Sequence, residues 1–125
     1  MRNMTQVIKA ALSTVAAALT LTSCGPEHGS SREGNAARGR ELLDRYGCNA
    51  CHRISGVRDA VGMVGPPLDD IGSHVYIAGT IPNSAPNLAR WIQRPQAYKP
   101  GTAMPNLNVT DADARDMAAY LDGLR

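Results

Sequence analysis

Apolar and polar positions along this chain recur with helical spacing and mark three helices behind one leading apolar run. The run, Ala10 to Leu21, is apolar apart from Ser13, Thr14 and Thr20. It is shorter than the roughly 20 apolar residues that span a bilayer. Ala36 to Tyr46 reads as the first helix, with Leu42 and Leu43 on one side and Arg38, Arg40, Glu41, Asp44 and Arg45 elsewhere. Gly47 is placed to end it. A second helix over Pro86 to Arg94 carries Leu88, Trp91 and Ile92 on its apolar face, with Pro86 in the first turn and Pro95 as a stop. Thr110 opens the last helix. Asp113 three residues on makes a capping-box-like pattern, and Asp111 and Asp113 complement the helix dipole. Ala114, Met117, Leu121 and Leu124 then repeat at helical spacing. In between, Asp69 and Asp70 suit the start of a short helical turn. Val75 to Ile81 has some β character, too little to predict a sheet.

Composition changes that picture in one respect. The chain has 125 residues, enough for one domain, and only 4% of them are aromatic: Trp91 and four Tyr, with no Phe. A core of this size normally relies on several aromatic rings for buried area, so something else is expected to fill the middle. Twelve Gly and eight Pro imply long ordered loops between the helices. A net charge of +2, without clustering, argues against a nucleic-acid partner.

The leading run reads as an address. Arg2 and Lys9 precede it, and Leu21-Thr22-Ser23-Cys24 closes it. That ending resembles the lipobox of bacterial lipoproteins, which implies cleavage before Cys24 and acylation of Cys24. Three segments follow: 1–23 a lipoprotein signal peptide, 24–34 a lipid-anchored flexible tether, and 35–125 the folded domain. The tether is small, polar and charged, with His28 as a solvated linker residue, and about ten such residues span roughly 17 Å r.m.s.. Loss of Arg2 and Lys9 leaves the remainder formally neutral, so the positive charge says nothing about partners. The expected location is the bacterial cell envelope, anchored to a membrane and facing the periplasm.

The other two cysteines lie in Cys48-Asn49-Ala50-Cys51-His52. C-x-x-C-H is the attachment sequence of c-type haem. Two thiols three positions apart reach the two vinyl groups on one edge of the macrocycle, and the adjacent His supplies the proximal ligand. A thioredoxin-like dithiol would need alternating strands and helices around the motif. A zinc site would want a further ligand pair, which His28 and His74 do not form.

On these residues the chain resembles the small monohaem cytochromes c of His/Met-ligated type. Three anchors carry the resemblance from about Asn35 to Arg125: Cys48-x-x-Cys51-His52, Gly65-Pro66-Pro67-Leu68, and Lys99-Pro100-Gly101-Thr102-Ala103-Met104-Pro105. More loosely, Gly65 to Leu121 is similar to haem domains associated with bacterial terminal oxidases. The resemblance implies an all-α cytochrome c-like fold of three to four helices and long loops around one haem c, covalently held through Cys48 and Cys51. It implies that the first and last helices cross at Gly39, with Leu43 and Tyr120 beside it.

Three methionines follow the signal. Met117 lies in a helical pattern and suits the core. Met63 stands 11 residues after His52, so the chain would have to cross the macrocycle at once to use it. Met104 lies 52 residues after His52 in a Pro/Gly-flanked loop. The resemblance puts the distal ligand at Met104, with His52 as the other metal ligand; His74 is a bis-His alternative, and Met63 or an open site are others. It also sets the Pro66 carbonyl against the His52 ring N–H, packs Leu68 on the haem, and offers Trp91, Tyr76 and Tyr98 as partners of the haem propionates.

The function this implies is that of a membrane-tethered one-electron carrier, not an enzyme, in a bacterial respiratory chain. Its partners would be redox proteins such as a terminal oxidase or a quinol–cytochrome c reductase, and the carrier itself a monomer. The alternatives are a haem subunit of a larger oxidase or dehydrogenase complex, and a gas sensor with a labile Met ligand.

Overall fold

The structure is a computed structural model, and it describes residues 34–125. The segments expected to be signal peptide and tether, with Cys24 and His28, lie outside the described residues apart from Gly34. The element order is α1 (Ala36–Arg45), a 3₁₀ turn (Cys48–Ala50), a second 3₁₀ turn (Ile71–Ser73), β1 (Tyr76–Ile77), β2 (Ile81–Pro82), α2 (Ala85–Gln93), α3 (Pro95–Tyr98) and α4 (Asp111–Asp122). The all-α expectation holds, with one small addition: β1 and β2 form an antiparallel hairpin pairing Ile77 with Ile81. Among the described residues, no helix is long and apolar enough to cross a membrane.

α1, α2 and α4 each start where a short polar side chain can accept from the first turn. The Asn35 side chain accepts from the Arg38 N–H at 3.0 Å, and Thr110 Oγ1 accepts from the Asp113 N–H at 3.2 Å. Gly47, at φ 74°, carries the chain out of α1 into the Cys48 turn in a left-handed conformation that favours glycine. Pro95 does more than stop α2. It forces Arg94 out of helical geometry (φ −142°, ψ 62°) and then opens α3.

α4 is the shared partner of α1 and α2. The α1–α4 crossing is made at Gly39, where an added Cβ would lie 1.9 Å from the Asp116 carbonyl oxygen. Leu43 is buried beside it, and the Tyr120 hydroxyl donates to the Ser55 carbonyl at 2.6 Å. The buried apolar core runs through Leu42, Leu43, Ile54, Ile71, Ile77, Leu88, Ile92, Met117 and Leu121, and it contains no aromatic ring.

A polar clamp ties the same two helices. The Arg38 guanidinium pairs with both Asp113 and Asp116. Asp116, which is buried, also accepts the Asn35 N–H at 2.6 Å, and Asp113 accepts the Tyr46 hydroxyl at 2.8 Å. Burial pulls the Asp113 carboxyl up, but the hydrogen bonds from Tyr46 and Thr110 and the Arg38 charge outweigh it and hold it below the usual carboxylate range. In the unfolded chain Asp113 returns to a pKa of about 3.9. Its contribution is therefore complete above about pH 4 and is lost as pH falls through the lower folded value. Asp113→Asn is expected to flatten the acid-side loss of Tm, followed by thermal melts from about pH 5 down to about pH 2. An unchanged slope would remove this clamp from the account.

Candidate functional site

The site is built from the turn after α1. His52 N–H and Cys51 N–H both donate to the Cys48 carbonyl, at 2.9 and 3.2 Å, which closes the Cys48–His52 backbone into a tight turn. Cys48, Cys51 and His52 all line one cavity of about 440 Å³, within the range of small-molecule sites. Burial pushes the Cys48 thiol up to about 11, so at neutral pH it is a protonated, apolar part of the wall.

The next segment folds back over the turn. The Gly65 N–H donates to the Cys51 carbonyl and the Leu68 N–H to the Arg53 carbonyl, each at 2.8 Å. This lays Gly65 and Pro66 against the imidazole. A Cβ on Gly65 would sit 2.3 Å from His52 Cε1, so only glycine fits there. His52 Nδ1 is 2.8 Å from the Pro66 carbonyl oxygen. A carbonyl only accepts, so Nδ1 carries the proton and Nε2 keeps its lone pair for a ligand.

Met104 reaches the same cavity from a loop far along the chain. Gln96 clamps that loop: its Nε2 donates to the Thr102 carbonyl at 2.6 Å and to the Met104 carbonyl at 3.2 Å, and its Oε1 accepts the Gly101 N–H at 3.1 Å. Leu68 and Trp91 also line the cavity.

The remaining sequence candidates fall elsewhere. Tyr76 and Tyr98 are exposed and lie outside the cavity lining. Met63 is 93% exposed, Met117 is fully buried in the core, and His74 sits on the surface 3.3 Å from Asp70. Sequence reasoning missed Gln96, whose role depends on a turn it does not itself announce. It also missed Tyr46, which lines the cavity while its hydroxyl anchors on Asp113, and Lys99, whose Nζ donates to the Ala78 carbonyl at 3.3 Å on the rim. Among the described residues, no group of three or more His, Cys, Asp or Glu is placed to hold a bare metal ion.

The donor set fits haem c. Two thiols and a His with a free Nε2 come from one turn, a thioether comes from a clamped loop, and apolar residues such as Leu43, Ile77, Leu88, Ile92 and Val109 line the space between. Thioether attachment, imidazole ligation and apolar burial of a macrocycle each have their residues.

A family model described as Cytochrome c matches residues 36–125. Cytochrome c oxidase subunit 2 of Alkalihalophilus pseudofirmus is 33% identical over 91 residues, covering 72% of this chain and 26% of that one. The corresponding subunit of Bacillus subtilis is 27% identical over 94 residues, with 72% and 26% coverage. The chain thus spans about a quarter of the length of these subunits. Cytochrome c-552 of Nitrosomonas europaea is 30% identical over 96 residues, covering 70% of this chain and 80% of that one. Among solved structures, the c-type cytochrome SorU from Sinorhizobium meliloti superposes with a TM-score of 0.50 at 27% identity, covering 71% of this chain and 88% of that one. SoxXA from P. pantotrophus superposes at 0.58 with 19% identity, covering 75% and 84%, a likeness of fold alone.

Proposed function

The chain belongs to the cytochrome c family, a family of electron carriers, and from that premise we propose that it is a one-electron carrier tethered to the bacterial envelope through Cys24 and working in a respiratory chain. One observation carries the reading: Cys48, Cys51, His52 and Met104, separated by up to 56 positions, line a single apolar cavity. Haem c, when bound there, supplies a ferrous/ferric couple.

The chain's own residues do the rest. Cys48 and Cys51 would hold the macrocycle through their thiols. The Pro66 carbonyl fixes the His52 tautomer and raises the basicity of Nε2. Gln96 holds the Met104 loop in place. Ligation by His52 and Met104 together would favour reduced iron and a raised potential, and would leave no coordination position for a substrate. That is the argument for carrier over enzyme or gas sensor. The relationship to the oxidase subunits supports a second reading, a haem subunit within a larger redox complex, which copurification after mild detergent extraction would detect. In either case the domain would face the periplasm and meet redox proteins such as a terminal oxidase or a quinol–cytochrome c reductase.

The deciding experiment is absorption spectroscopy of protein made in a host that attaches haem, oxidised and reduced, with and without CO. The expected wild-type result is a covalent c-type spectrum with a Met–iron charge-transfer band and no rapid CO shift. Met104→Ala is expected to lose that band, to bind CO, and to lower the midpoint potential by more than about 100 mV. Rapid CO binding by the wild type would overturn the closed-site reading.

A further inference from the structure

Three of the most exposed apolar side chains fall within four residues: Val61 at 77%, Met63 at 93% and Val64 at 76%. Their stretch, Ala60 to Leu68, contains no charged residue. Val64 lines the cavity, but Val61 and Met63 do not, so the exposure of those two does not depend on what the cavity holds.

The loop is pinned. Arg53 and Val61 pair in an antiparallel bridge, the Ile54 N–H donates to the Ala60 carbonyl at 3.3 Å, and the Gly65 N–H donates to the Cys51 carbonyl. Gly62 lies so close over the cysteine turn that a Cβ there would sit 2.5 Å from the Cys51 carbonyl carbon. A fixed loop that presents three apolar side chains to water beside the cysteine edge marks a contact surface.

The rest of the rim has the same character. Ala103 and Pro105 are exposed and line the cavity. Lys99 is the one charged residue among the exposed lining residues, and its ammonium is directed to the Ala78 carbonyl. Arg53 and Arg58, which flank the loop, pair with Asp69 and Asp44; Asp59 is the isolated charge at its edge.

We infer that Val61, Met63 and Val64, with Ala103 and Pro105 across the rim, form the docking face for a redox protein whose own contact surface is uncharged and apolar. This deepens the electron-carrier reading and rests on it. Charge selects the occupant. A partner with a strongly charged face would lose hydration here without gaining counter-charges. Without steering, association runs at about 10⁵–10⁶ M⁻¹s⁻¹ and is nearly independent of salt. A small apolar contact also releases quickly, as turnover requires.

The test is stopped-flow oxidation of the reduced full-length holoprotein in detergent. The oxidant is a small blue-copper protein whose copper edge is ringed by apolar side chains. The wild-type second-order rate constant is expected to change less than about twofold between about 20 and about 500 mM NaCl. The neutral double variant Val61→Thr/Met63→Gln is expected to lower it about tenfold. The haem spectrum, the midpoint potential and the rate of oxidation by hexacyanoferrate should stay unchanged. A wild-type rate that falls steeply with salt, or a double variant as fast as the wild type, overturns the proposal. So does a double variant whose sole defect is weaker binding to phosphatidylcholine vesicles, which would make the loop a membrane contact. Failure of hexacyanoferrate to oxidise the wild type would strike the electron-carrier reading itself.

Discussion

The Cys48→Ser/Cys51→Ser protein is expected to be largely unfolded at 25 °C. The argument starts from what surrounds those thiols. The cavity they line holds about 440 Å³ and its walls are mostly apolar. Without a macrocycle those walls face water, and every 100 Å² of apolar wall left unburied forgoes about 2.5 kcal/mol. The whole stability of a typical domain is about 5–15 kcal/mol. The rest of the fold has little in reserve: its buried core is aliphatic, without an aromatic ring, and long loops join the helices. Covalent attachment also keeps the filler at the site while the chain fluctuates. Far-UV circular dichroism and a denaturant titration check this. A cooperative transition with native-like helicity in the haem-free variant would mean that the protein core suffices by itself.

Gly39→Val is expected to be the most damaging single substitution away from the cavity. An added Cβ would meet the Asp116 carbonyl oxygen at 1.9 Å and the Met117 amide nitrogen at 2.9 Å, both backbone atoms that no side-chain rotation can relieve. α1 and α4 would have to separate, and the Arg38–Asp113–Asp116 clamp beside the contact would open with them. Arg38 is half-exposed, so the main cost is steric: forcing a side chain against fixed backbone costs about 3 kcal/mol, the upper end of what overpacking a core costs. In a domain of this size that lowers Tm by at least about 12 °C. Gly79→Ala is the control. It lies outside the cavity lining and nothing is within 4 Å of its added Cβ, so only the strain of φ 76° is felt, about 1 kcal/mol. Equal losses of Tm in the two variants would refute the close-crossing argument.

The parts of this fold that read directly from sequence are those set by local chemistry. Thr110 caps its helix, Gly47 ends α1, and Cys48-x-x-Cys51-His52 announces its cofactor; each is decided within a few residues. The Pro66–His52 contact and the Gly39 crossing came from family resemblance, since they join residues 14 or more positions apart. What stayed hidden depends on the tertiary arrangement. Tyr46 binds Asp113 across 67 positions, and Asp116 looks like an ordinary helix-surface acid until Arg38 and the Asn35 amide are placed beside it. The hairpin was hidden because two residues per strand give no alternation to read. Gln96 was hidden because its amide answers to carbonyls of a loop whose shape sequence does not give.

Lys99 has a chemical consequence of its own. The sequence has two lysines, Lys9 and Lys99, and its other permanently cationic side chains are arginines. An amine-reactive reagent applied to the folded domain therefore meets one side-chain ammonium among residues 34–125, exposed at the cavity mouth. Among the side chains of those residues, acylation is confined to that one nitrogen. Coupled through that nitrogen to a carboxylated electrode, every molecule would present the same edge to the conductor, and interfacial electron exchange could be measured on one orientation instead of an average over many.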